Sequence, residues 1–197
     1  MRKNILFTGL MLAVLGLAQS AAFGQGTTTF TGTAVIYGSG TNTRTVTRTF
    51  TLRVNRQSTA ADMGEFIQVL DRGGQDGLLR SLEDNDLGRF SFTGNVGQRL
   101  TAVWVDQVED GMRLRAVFPR WIGFGEQRRG YRWVDYPFGY VEIIVDRKGR
   151  GEGTIFPAAR IRFKDGKNGG AGTVEIEDFA TFPGRLMGVR MRGRSMM

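Results

Sequence analysis

The sequence predicts an α+β fold: a mainly antiparallel sheet, forming an open barrel or a sandwich with a C-terminal meander, and carrying one inserted helical hairpin. Three observations predict it. Apolar and polar residues alternate with a period of two over much of the chain. Clusters rich in Gly, Asp and Asn punctuate those runs as turns. Over residues 58–84 the apolar spacing becomes helical and then reverts.

A leader stands ahead of the fold. Arg2 and Lys3 precede an uncharged stretch from Ile5 to Ala18, followed by the small residues Ser20, Ala21, Ala22 and Gly24. That is the order of a cleavable secretory signal. The apolar run falls short of the about 20 residues a membrane-spanning helix needs. Cleavage after Ala22 and cleavage after Gly24 both fit. The expected division is a signal peptide over 1–24 and one β-rich domain over 25–197, with the hairpin at 58–84. The mature chain is expected to have no transmembrane span and to be periplasmic or secreted.

The first expected strand is Phe30 to Tyr37. Val46 to Val54 is the clearer second: Val46, Phe50, Leu52 and Val54 share one face and Thr45, Thr47, Thr49, Thr51 and Arg53 the other. Helical spacing follows at Met63, Phe66, Ile67 and Leu70. Thr59 and Asp62 open that helix as a capping box, and Gly73-Gly74 ends it. Leu78, Leu79 and Leu82 stripe a second short helix. Strands resume over Arg89–Thr93, Arg99–Asp106, Met112–Phe118, Tyr136–Asp146, Gly153–Lys164, Gly172–Asp178 and Arg185–Arg192.

The outward faces of the last four strands alternate in charge. Glu142 and Asp146 are followed by Arg160, Arg162 and Lys164, then by Glu175 and Glu177, then by Arg190, Arg192 and Arg194. Opposite charges favour neighbouring strands, so this order predicts a meander whose basic stripes are partnered by the sheet's own carboxylates.

The chain contains no His and no Cys. Ser-His-Asp and Cys-His catalysis, ordinary zinc sites and His- or Cys-ligated haem are therefore excluded. No cofactor is expected. Basic residues number 27 against 19 acidic, a net charge of +8; Arg2 and Lys3 lie in the leader, which leaves +6. For an exported chain, an anionic glycan or a lipid head group is the expected partner rather than nucleic acid.

Aromatic residues and arginines concentrate between Phe118 and Tyr140. Trp121, Arg128, Arg129, Tyr131, Arg132, Trp133 and Tyr136 are the candidate ligand contacts, since aromatic faces stack on sugars and arginines hold acidic groups. The same rings would equally serve as core with arginines stacked on them. Glu126, Asp135 and Glu142 are the carboxylates available for glycoside hydrolysis. A non-catalytic envelope binding or structural module is the expected function, and a carboxylate-dependent glycan hydrolase the alternative.

Two stretches, STAADMGEFIQVLDRGGQDGLLRSL from Ser58 and DYPFGYVEIIVDRKGRGEGTIFPAARI from Asp135, resemble an uncharacterised family of secreted bacterial proteins of acidobacterial type. The resemblance implies export and a single domain. No activity is established for that family, so it assigns no functional residue.

Overall fold

The computed structural model describes residues 26–37, 45–120, 135–164, 172–178 and 183–193. Ten strands form one antiparallel sheet: β1 (Thr28–Ile36), β2 (Val46–Val54), β3 (Gly88–Phe92), β4 (Gln98–Arg99), β5 (Ala102–Val108), β6 (Gly111–Pro119), β7 (Phe138–Asp146), β8 (Arg150–Lys164), β9 (Thr173–Asp178) and β10 (Gly184–Arg192). Among the described residues one helix, α1 (Ala60–Leu82), is present, inserted between β2 and β3. Residues 1–24, expected from sequence to be a signal peptide, lie outside the described residues.

The strand path runs β4-β3-β2-β1-β10-β8-β7-β6-β5, with β9 added on β8. It curls into a half-barrel. The two ends of the path, β4 and β5, are consecutive in the chain, separated only by Leu100 and Thr101. The Leu100 N–H donates to Gly88 O at 2.9 Å on one side, and the Thr101 N–H donates to Val117 O at 2.8 Å on the other. The single strand expected over Arg99–Asp106 is therefore two, because the chain turns a corner there and exchanges one neighbour for another.

Alternation decides which side chains fill the curl. Phe30, Phe50, Leu52, Phe90, Leu114, Phe118, Val141, Ile143, Ile155 and Leu186 are buried together in one apolar cluster. Phe90 stacks on Phe50 with ring centroids 5.7 Å apart and on Phe118 at 5.4 Å. β3 and β6 lie near opposite ends of the strand path, so the second contact spans the interior. Apolar residues inside and charged residues outside are the inverse of a membrane-spanning barrel. No described helix is long and apolar enough to cross a membrane.

The helix packs on the outer face of the β5–β8 sector. Leu70, Leu78 and Leu82 are buried there with Ala102, Val117, Phe138, Tyr140, Ala159 and Ile161. Full burial of each leucine contributes about 1.5–3 kcal/mol. The capping box is present: the Asp62 N–H donates to Thr59 Oγ1 at 3.1 Å, and the Thr59 N–H to Asp62 Oδ2 at 2.7 Å. Gly74, at φ 59° and ψ −163°, breaks the helix. A Cβ on Gly77 would lie 3.4 Å from Val69, whereas eight residues of straight helix rise about 12 Å. The chain thus bends sharply at the glycines. Of the first stripe only Leu70 is buried; Met63, Phe66 and Ile67 are half-buried.

The C-terminal meander holds for β7, β8 and β9 and fails at β10. Ala159 is partnered by Phe138 of β7 and by Asp178 of β9, which places those strands on opposite edges of β8. β10 pairs with residues 150–155 of β8 and on its far side with β1. β8 is 15 residues long, enough to carry β9 and β10 end to end on one edge. The expected charge pairing holds between β8 and β9, where Arg160 faces Glu177 and Arg162 faces Glu175. It fails for Arg190 and Arg192, whose neighbours on β1 are Thr31 and Thr29.

Candidate functional site

The outward positions of β2 are Thr47, Thr49, Thr51 and Arg53, because Phe50, Leu52 and Val54 turn inward and are fully buried. Register extends that pattern sideways. Arg53 faces Thr29 of β1 and Arg89 of β3; Arg89 faces Arg99 of β4; Thr29 faces Arg192 of β10. Arg99, Arg89, Arg53, Thr29 and Arg192 therefore form one row across five neighbouring strands on the outside of the sheet. The four arginines are exposed. A second row holds Ser91, Thr51, Thr31 and Arg190.

No ion pair among the described residues engages the arginines of these rows. Two of them are held by neutral acceptors instead. Arg89 Nη1 donates to Val96 O at 3.2 Å, and Arg99 Nη2 to Glu83 O at 3.0 Å. Each is tethered by a neutral carbonyl oxygen and makes no ion pair among the described residues.

A groove of about 550 Å³ opens along the row, lined by Thr27, Thr29, Arg53, Asn55, Asp86, Gly88 and Arg89. Asp86 is the one carboxylate of that lining among the described residues. The Thr27 hydroxyl donates to Asn55 Oδ1 at 3.1 Å. Gly88 sits at φ 146°, and a Cβ there would stand 2.0 Å from Arg53 O. Only glycine lets β3 start this close to β2.

Elsewhere on the outer face several charges are paired, while Arg113 and Arg150 make no ion pair among the described residues. Arg115 is paired with Asp106 and lies over the Trp104 ring, 5.2 Å from its centroid. Lys164 Nζ reaches Glu175 Oε1 at 2.6 Å, Arg162 stands 4.0 Å from Glu177, and Arg185 stands 3.7 Å from Glu152. What distinguishes the face of β4, β3, β2, β1 and β10 is that four such arginines share one row, with Thr29 at the β1 position.

Of the seven contacts expected from sequence, Trp121, Arg128, Arg129, Tyr131, Arg132 and Trp133 lie outside the described residues, as does Glu126. Tyr136 is half-buried. Its hydroxyl donates to Glu177 Oε1 at 2.9 Å, and the Arg160 guanidinium lies 4.7 Å from its ring centroid. Burial, and then the Glu177 carboxylate, raise the Tyr136 phenol above its ordinary range. Arg160 also holds Asp135, through Nη2 to Oδ2 at 3.0 Å and Nε to the backbone oxygen at 2.9 Å. This end of β8 and β9 is a closed polar cluster. Glu142 accepts from the Tyr140 hydroxyl at 3.2 Å. No group of three acidic side chains among the described residues is arranged to hold a metal ion.

Sequence reasoning reached the threonine face of β2 but missed Arg53, Arg89, Arg99 and Arg192 as a unit. Each belongs to a different strand, and only register lines them up. Comparison with known protein families, with curated proteins and with solved structures finds no match to this chain.

Proposed function

We propose that the protein is a non-catalytic binding module, exported through its leader to the periplasm or beyond, that attaches to anionic material of the envelope. The observation that carries this reading is the row of exposed arginines on β4, β3, β2 and β10, bridged on β1 by Thr29 and without an ion pair among the described residues. Like charges placed opposite each other weaken a sheet, and an external anion relieves that cost. In this reading the helical hairpin is a brace on the opposite sector, leaving the arginine wall open. Export is supported by the leader sequence and by the resemblance to secreted bacterial proteins, and it makes envelope glycans and lipid head groups the reachable anions.

The hydrolase reading draws less support. Asp135 is engaged by Arg160 and Glu142 by Tyr140, so neither is left waiting in a cleft. The test of the binding reading is co-sedimentation of the full chain with an acidic polysaccharide and, separately, with phosphatidylglycerol vesicles at low salt. Binding to at least one is expected. Binding to neither overturns the proposal.

A further inference from the structure

The groove beside Arg53 points to a more specific ligand, and this inference rests on the anion-binding reading. We infer that the groove is a subsite for one acidic sugar of a linear polysaccharide of uronate type, whose chain continues across the strands along the arginine row.

Three features converge on it. Neighbouring strands lie about 4.8 Å apart, so the row carries its four arginines along about 19 Å, three on successive strands and the fourth beyond Thr29. A linear polysaccharide with a carboxylate on successive sugars offers charges at comparable intervals. The groove also mixes its chemistry. Arg53 and Arg89 can fork onto a carboxylate, while Asp86, Asn55, Thr27 and Thr29 offer acceptors and donors to ring hydroxyls. Finally, Asp86 discriminates between anions. A carboxylate beside the arginines repels a bare phosphate, whereas a sugar satisfies it with a hydroxyl. A uronate meets both demands, and a phosphate group that carries no hydroxyls meets only one. The held arginines add to this: Arg89 is already positioned by Val96 O, so less freedom is lost on binding.

The experiment measures binding of the full chain to polygalacturonate, with phosphatidylglycerol vesicles as a second probe. Polygalacturonate is expected to bind. Arg53→Ala and Arg89→Ser are each expected to weaken it about tenfold, as loss of a charge-assisted hydrogen bond would. Both side chains are exposed, and denaturation midpoints no lower than the parent's establish that the variants fold. Asp86→Ala is the deciding variant. Removing a negative charge tightens binding to any simple polyanion, whereas loss of a hydroxyl partner weakens binding to a sugar. A weaker Asp86→Ala complex supports the inference; a tighter or unchanged one overturns it. Binding to vesicles with none to polygalacturonate overturns the inference and leaves the anion-binding reading standing. Binding to neither removes both.

Discussion

Arg53 and Arg89 stand directly opposite each other on neighbouring strands, both exposed and with no carboxylate bridging them. A cross-strand pair of like charges destabilises by roughly 0.2–1 kcal/mol. Arg53→Thr, which extends the threonine face of β2, is therefore expected to raise stability by about that amount at low ionic strength. Urea denaturation measures it. The gain should shrink at high salt, where exposed charges are screened. A lower midpoint in the variant at low salt would show that the wall carries no such strain.

Leu82 anchors the end of the helix in the cluster over β5–β8. Leu82→Ala is expected to cost about 2–5 kcal/mol. Phe66 is only half-buried, so Phe66→Ala should cost less than the about 3 kcal/mol of a fully buried ring. Denaturation midpoints of the two variants, compared side by side, check the order.

Gly88→Ala is expected to be among the most damaging single changes in the chain. It places a methyl group against Arg53 O in a backbone conformation that alanine adopts only with strain. Separation of β3 from β2 would lower the thermal midpoint sharply and disturb the groove together with the core. A midpoint within experimental error of the parent would contradict the close approach described here.

Stability should fall in alkali through Tyr140. Burial, and then the Glu142 carboxylate, push its phenol well above the ordinary 10.0. The folded state thus keeps a proton that the unfolded state releases. Its contribution is complete below about pH 10 and is lost as pH rises further, by up to about 1.36 kcal/mol per pH unit. Tyr140→Phe should flatten urea-denaturation stability between pH 10 and 12, leaving the smaller slope of Tyr136. Asp146 acts oppositely in acid. It accepts from the backbone N–H groups of Arg150 and Lys148, which holds its carboxyl below 3.8; that contribution is lost as pH falls through the folded-state value.

The sequence made local order legible wherever one face was buried. Val46–Val54 is delimited by its alternation, and Thr59 with Asp62 marks the helix start because capping is decided within four residues. Long-range neighbours were not legible. The alternating charges suggested that β10 lies beside β9, yet β8 is long enough to host both on one edge, and the hydrophobic face of β10 is served equally well by either arrangement. The corner at Leu100 and Thr101 was hidden for a similar reason: both sides of it read as strand. The arginine wall was illegible because Arg53, Arg89, Arg99 and Arg192 are scattered along the chain and meet only after register is set.

The seam between β1 and β10 joins the first and last described strands, with Thr29 against Arg192. Contacts between such distant parts of a chain form late and slowly. In the export reading proposed above, a chain threaded leader-first cannot complete this seam until β10 has emerged. During that interval one edge of β1 is an open template for strand addition. The arginines and threonines that surround it keep that edge hydrated and discourage a second copy from adding there, which protects the chain while it waits for its own C-terminal strand.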